Sequence, residues 1–387
     1  MLNTNIKYHE SDVIEQVNQL LNDGLSQRAS DIHFEPYEQQ LRIRMRIDGV
    51  LKTVERLPIT LAKPLIVRLK IMAKLNIAEQ RLPQDGLLTI GQQTMRVSSI
   101  PILHGEKIVL RVMDNHKLVL SIEQLGLTNQ EQNQYRKILN SPQGLILVTG
   151  PTGSGKTITL YSGLKEINND TRNICSVEDP IEMPIDGINQ TQINTKAGLG
   201  FSSILRSFLR QDPDIMMIGE IRDNETAEIA MQAAQTGHLV LSTLHTNSSA
   251  EALIRLNQIG IKNYLIASSL KLIIAQRLVR KLCNHCKMIA DVKHNAQHYV
   301  ISPNSCHFIA QGCSQCSNGY SGRIGVYEFL LVNQQLQALL LSNSECSLNQ
   351  IEQIIQQNNI KTLSSSGKEL VTQGITSIAE VQRVLGD

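Results

Sequence analysis

The chain has 387 residues, 41% of them hydrophobic and 19% charged, and its 37 basic side chains against 35 acidic ones leave a formal charge of +2. That length exceeds what one hydrophobic core ordinarily serves, so two or three domains are expected and a disulfide-stapled miniature is excluded. The balanced charge leaves no global field favouring nucleic acid or acidic lipid, and 3% aromatics with no Trp argue against a stacking platform for single strands. Residues Met1 to Glu15 hold no apolar export segment, and runs such as Leu145 to Val148 are too short to cross a bilayer. Any membrane role therefore goes through a partner. Seven cysteines without an export signal read as thiols in a reducing compartment, which points to metal rather than disulfides.

In chain order, Asp12 and Glu15 begin a helix that carries Val13, Val17, Leu20 and Leu21 on one face and closes at Gly24. The segment Leu41 to Ile47 alternates strictly and turns at Asp48-Gly49, so Leu41, Ile43, Met45 and Ile47 face a core while Arg42, Arg44 and Arg46 line the other side. Three like charges in a row are either the solvated outer face of a sheet or a site for an anion. Strands follow at Arg96 to Ile100 and Ile108 to Met113, after a turn at Arg81-Leu82-Pro83-Gln84-Asp85-Gly86. The polar, aperiodic stretch 114–124 reads as an interdomain connection.

Leu145 to Val148 is the apolar run of a strand buried on both faces, and it feeds Gly150-Pro151-Thr152-Gly153-Ser154-Gly155-Lys156-Thr157. Every fixed position of the phosphate-binding loop is present. Backbone N–H groups close around the phosphates of a nucleoside triphosphate, Lys156 bridges the β and γ oxygens, and the Thr157 hydroxyl is a Mg²⁺ ligand at a helix N-terminus. Hydrolysis also needs an acid to orient water and complete the magnesium shell. Glu178 ends the apolar run Ile174 to Val177, and Glu220 follows Ile215 to Ile218, with Gly219 where many such enzymes place Asp. His238 and His245 bracket a further strand, Leu239 to Leu244, and either imidazole can sense a γ-phosphate or serve as a structural donor.

These motifs in this order resemble the secretion ATPases of type II secretion and type IV pilus systems. Leu209-Arg210-Gln211-Asp212-Pro213-Asp214, Gly219-Glu220-Ile221-Arg222-Asp223 and Thr236-Gly237-His238 carry the likeness, as do Ala29-Ser30-Asp31-Ile32-His33-Phe34-Glu35 and Arg44-Met45-Arg46-Ile47-Asp48-Gly49, over roughly residues 10 to 330. The resemblance implies an α/β chain: a PAS-like α+β domain over 1–113, the connection 114–124 and a RecA-like core over 125–282. It further implies a homo-hexamer, cytoplasmic and peripheral to the inner membrane, that works with a polytopic membrane platform protein and drives a type IV pilus or pseudopilus. Carried onto this chain, Glu178 is the general base, Glu220 the magnesium acid, and His238 with His245 the paired histidines. Arg44 and Arg46 then reach the γ-phosphate of a neighbouring protomer.

Cys283-x2-Cys286 and Cys313-x2-Cys316 supply four thiolates for a closed tetrahedral Zn²⁺ site, structural because no position is open to water. The expected zinc module spans 283–325 and a helical region 326–387, with Leu348, Ile351, Ile354 and Ile355 at helical spacing. Retraction members of the family generally lack such a quartet, and Ala233-Ala234-Gln235-Thr236-Gly237-His238 leans toward pilus assembly, DNA uptake included, over type II secretion. The chain starts after the extra amino-terminal domain of many members, which leaves its docking mode open. The rivals from other classes are a zinc-bearing nucleic-acid translocase, against which charge and aromatic poverty weigh, and a ring that binds ATP without turnover.

Overall fold

Helix α1 (Glu10–Ser26) opens the computed structural model, which describes residues 10–113, 119–290, 307–342 and 346–386. The chain divides into two compact units, Met1–Lys117 and Leu118–Asp387. In the first, α1 is followed by β1 (Asp31–Pro36), β2 (Gln40–Ile47), β3 (Val50–Pro58), α2 (Ala62–Met72), β4 (Gln84–Ile90), β5 (Gln93–Ile102) and β6 (Gly105–Met113). The strands form one antiparallel sheet in the order β3-β2-β1-β6-β5-β4. The alternation of 41–47 is realised: Leu41, Ile43 and Met45 are buried with Ile32 and Phe34 against Val17 and Leu21 of α1 and Leu65 and Leu69 of α2. Asp48 and Gly49 both take positive φ, at 48° and 84°, the left-handed pair that lets a two-residue hairpin follow the twist of its strands.

The second unit runs α3 (Asn129–Leu139), β7 (Gly144–Thr149), α4 (Lys156–Ile167), β8 (Ile174–Glu178), β9 (Asn189–Gln192), α5 (Phe201–Phe208), β10 (Ile215–Ile218), α6 (Asn224–Gln235), β11 (Leu239–Leu244), α7 (Ser249–Gln258) and α8 (Asn263–Ser269). It continues with β12 (Leu270–Leu282), β13 (Met288–Ile289), β14 (Phe308–Ile309), β15 (Tyr320–Leu331), α9 (Gln334–Ser342), α10 (Leu348–Gln357), α11 (Leu363–Thr372) and α12 (Ile378–Leu385). Seven strands make one sheet, β15-β12-β7-β11-β10-β8-β9, parallel except for β15 at its edge. Strands β7, β8, β10 and β11 are buried at every position because apolar clusters cover both sheet faces. Their carboxyl ends gather at one edge, where such sheets hold ligands.

Three bounds differ from the sequence reading: α1 runs on through Gly24 to Ser26, β4 begins at Gln84 inside the expected turn 81–86, and β15 overruns its expected domain boundary. β15 crosses the expected boundary at 325 and 326, pairs with β12 from Leu272↔Leu331 to Leu282↔Tyr320, and belongs to the core sheet. Helix α10 does carry buried Ile351, Ile354 and Ile355, while Leu348 is exposed. No helix among the described residues is long and apolar enough to cross a membrane.

Candidate active site

The chain leaves β7 at Thr149 and folds through 150–155 into the first turn of α4, so the loop caps a helix N-terminus at the carboxyl edge of the sheet. Gly150, Gly153 and Gly155 take φ values of 153°, 80° and 89°. A Cβ on Gly150 would stand 2.5 Å from both the Gln276 carbonyl oxygen and Ser154 Oγ, so only glycine fits there. Pro151 and Thr152 are exposed at the tip and Thr157 is half-buried in the first helical turn. The Ser154 hydroxyl is buried without a hydrogen-bond partner among the described residues. Lys156 Nζ curls over the loop and donates to the carbonyls of Gly150 at 2.8 Å and Pro151 at 3.1 Å.

A line of charged groups crosses the mouth of this loop. Lys156 Nζ lies 3.5 Å from His245 Nδ1, and His245 Nε2 lies 3.5 Å from Glu220 Oε2. The other Glu220 oxygen accepts from Arg222. A cavity of about 900 Å³ opens beside the line, with Pro151, Thr152, Arg222, His245, Asn247 and Arg255 in its wall. Burial pushes the Lys156 ammonium down to about 8, against the pull of Glu220 and helped by Arg277. Burial and Lys156 likewise hold His245 below its ordinary value, against the pull of Glu220.

The Lys156 shift fixes a pH dependence. Phosphate favours the charged ammonium, and above about pH 8 the empty site has lost that proton, so nucleotide binding must draw one from solution. Affinity for MgATP is therefore expected to hold from about pH 7 to about 8 and then to fall by up to about tenfold per further unit. Titration calorimetry in buffers of different ionisation enthalpy checks this; a dissociation constant flat to about pH 9.5 with no proton uptake contradicts it.

Two of the expected site residues are not part of that line. Glu178 is the last residue of β8 and only 2% exposed. Its Oε2 accepts from the Tyr161 hydroxyl, and its Oε1 accepts from Ser176 Oγ at 2.7 Å and Gln190 Nε2 at 3.0 Å. Both oxygens are thus engaged inside the unit, the arrangement of an acid that ties β8, β9 and α4 together. On the segment that follows, Asp179, Glu182 and Asp186 are exposed acids. His238 stands at the amino end of β11, where its Nδ1–H donates to Ala233 O at 3.1 Å. His245 follows the opposite end of that strand, so the two imidazoles are roughly 20 Å apart and only His245 belongs to the phosphate edge.

In the first unit the arginine row already has anions. Antiparallel register sets Asp31 opposite Arg46, His33 opposite Arg44 and Glu35 opposite Arg42. Glu35 pairs with Arg44 at 2.7 Å, Arg42 at 3.0 Å and Lys107 at 3.1 Å; Asp31 pairs with Arg111 at 2.9 Å and Arg46 at 3.5 Å. Burial alone would raise the Glu35 carboxyl, but hydrogen bonds from Arg44, Lys107 and Arg42 outweigh it and hold it at about 2. Five cations share two carboxylates, so an excess of three positive charges faces outward, and exposed Arg96, across from Arg111, extends it. The sequence reading missed Lys107, Arg96 and Arg111 because strand order, not chain order, brings them beside the row.

The four expected cysteines converge. Their sulfurs all lie within 4.8 Å of one another, with Cys283–Cys313 at 3.9 Å, Cys286–Cys316 at 3.7 Å and Cys313–Cys316 at 3.6 Å. A tetrahedron with Zn–S bonds of about 2.3 Å has edges of about 3.8 Å, so the quartet fits such an ion. Backbone N–H groups of Gly312, Cys313 and Gly319 donate to these sulfurs at 3.3 Å, which suits thiolates. Residues 291–306, within the spacer between the pairs, lie outside the described residues.

Residues 7–383 match the family described as Type II/IV secretion system protein. Over 390 residues the chain is 43% identical to the type IV pilus assembly ATPase PilB of Acinetobacter baylyi, covering 98% of this chain and 67% of that one. It is 46% identical to the type II secretion system ATPase E of Vibrio cholerae, covering 97% and 76%. Among solved structures, the pilus retraction motor PilT with bound ADP superposes with a TM-score of 0.63 at 26% identity, covering 94% of this chain and 95% of that one. The phosphate loop, the parallel sheet, the thiol quartet and these likenesses agree: the chain belongs to the type II/IV secretion system protein family, the secretion ATPases of type II secretion and type IV pilus assembly.

Proposed function

We propose that this chain is a ring-forming motor ATPase that hydrolyses ATP to drive assembly of a type IV pilus or pseudopilus. The observation that carries the reading is the line Lys156, His245, Glu220, Arg222 across the mouth of the phosphate loop. Loop amides and Lys156 bind the β- and γ-phosphates, and Thr157 with Glu220 would hold Mg²⁺, which when bound neutralises phosphate charge. Glu220 orients the attacking water, and His245, touching both Lys156 and Glu220, registers whether the terminal phosphate is present. Glu178, saturated and buried, is assigned to bracing rather than to the base. Arg44 and Arg46 of a neighbouring protomer in a hexamer supply positive charge to the developing transition state, an effect typically worth about 10³ to 10⁵ in rate. The cysteines would hold Zn²⁺ for folding, and the ring would work on the cytoplasmic face of the inner membrane through a polytopic platform protein.

A second reading, the ATPase of type II protein secretion, is favoured by the 46% identity to the Vibrio cholerae relative. Deleting the gene separates the two. Loss of surface pili with extracellular enzymes unchanged supports the proposal; loss of extracellular enzymes with pili intact supports the second reading.

A further inference from the structure

Beneath the phosphate loop lies a buried amide that no part of the nucleotide reading uses. Gln276 sits on β12 and is 2% exposed. Its Nε2 donates to the backbone carbonyl of Ser154 at 2.8 Å, and its Oε1 accepts from the Thr159 hydroxyl at 2.7 Å. Thr159 lies one turn into α4 and is fully buried. The Ser154 carbonyl can only accept, so it fixes which end of the amide faces the loop, and the Thr159 hydroxyl satisfies the other end. The Gln276 side chain also backs Gly155, where a Cβ would come within 2.8 Å of Nε2.

The consequence follows from the planarity of the peptide unit. The carbonyl of one residue and the N–H of the next point in opposite directions. Drawing the Ser154 carbonyl down onto Gln276 therefore turns the Gly155 N–H up, toward the concave side of the loop where oriented amides make an anion nest. Because Gly155 tolerates many backbone conformations, this aim is not set by the residue itself. It has to be imposed from outside the loop.

We propose that Gln276, oriented by Thr159, is a positioning residue that aims the Gly155 N–H at the nucleotide phosphates and so sets nucleotide affinity. This rests on the nucleotide reading above. Preorganising a donor for a group already charged in the ground state tightens binding of substrate and transition state alike, so the effect falls on affinity rather than on turnover at saturation. Gln276→Leu deletes the donor, and Gln276→Glu keeps the volume but opposes a carboxylate oxygen to the Ser154 carbonyl. Thr159→Val releases the far end of the amide.

The test measures MgADP affinity by titration calorimetry, steady-state ATP hydrolysis and melting of the ligand-free chain, with Lys156→Ala as the control. The expected result is a dissociation constant about tenfold or more higher in both Gln276 variants and kcat at saturating ATP within about threefold, in chains that stay folded and whose ligand-free melting falls by only the few degrees that one lost buried hydrogen bond costs. Thr159→Val added to Gln276→Leu is expected to cost less than the product of the two single effects, because it acts through the same amide. Affinity within about twofold of wild type in folded Gln276 variants, while Lys156→Ala abolishes binding, overturns this inference alone. Affinity, kcat and melting falling together also overturn it, leaving Gln276 a brace of the fold. A wild-type chain that takes up no MgADP overturns the nucleotide reading itself.

Discussion

Glu220→Gln is expected to lower kcat for ATP hydrolysis by about 10² to 10⁴ while leaving nucleotide affinity nearly unchanged, the size of effect seen when a positioned acid or base is removed. The reason lies in where the strand stops. β10 ends at Ile218, so Glu220 is already on the turn beyond it and reaches the phosphate edge, with a side chain only 15% exposed. It keeps one oxygen on Arg222 and the other 3.5 Å from His245, so an amide of the same shape keeps the contacts but removes the charge that draws a proton from water. Single-turnover hydrolysis alongside binding separates the two effects. A folded Glu220→Gln chain that retains more than about a tenth of wild-type turnover contradicts the assignment.

Replacing Cys283 and Cys286 with Ser is expected to abolish zinc content and to lower the melting temperature by at least about 10 °C, since a structural zinc shell contributes about 10 kcal/mol or more of apparent free energy. The quartet staples the ends of two core strands: Cys283 directly follows β12 and Cys316 stands just ahead of β15, the two strands paired from Leu272↔Leu331 to Leu282↔Tyr320. Elemental analysis of the purified chain should find about one zinc per protomer, and proteolysis of the variant should begin within 283–319. Zinc-free protein that melts at the wild-type temperature would remove the structural role.

How much of this was legible beforehand depends on what each residue's burial leaves visible. β2 announced itself because one face is buried and the other is not, giving the burial alternation that Leu41 to Ile47 spells out. β12 did not, because Leu272 to Gln276 are buried on both faces and no period remains to read. That blindness hid Gln276 and Arg277, the latter donating to the Asn247 carbonyl at 3.1 Å beside the phosphate edge. Glu178 and Glu220 look alike in sequence, each after an apolar run. Glu178 is itself the last residue of β8, whereas Glu220 stands two residues past the end of β10, so the first is tied into the sheet and the second lies beyond it. His238 and His245 flank the same strand, but a strand has two ends and only one carries the loop. The arginine row was visible as a row; its partial pairing with Asp31 and Glu35, which leaves the row net positive, required the register of β1 against β2.

The claim that one protomer grips the nucleotide while its neighbour lends positive charge is most directly tested by mixing two disabled chains. Glu220→Gln removes the acid that acts on water at the cradle and leaves the arginines; Arg44→Ala with Arg46→Ala removes the arginines and leaves the cradle with its acid. Each chain alone should be nearly inactive. In equal mixture, about a quarter of the interfaces in randomly assembled rings join an intact cradle to an intact arginine pair, so turnover should recover to about a quarter of wild type. Mixed rings as inactive as their parents, or an arginine variant that turns over ATP at the wild-type rate, would contradict the account.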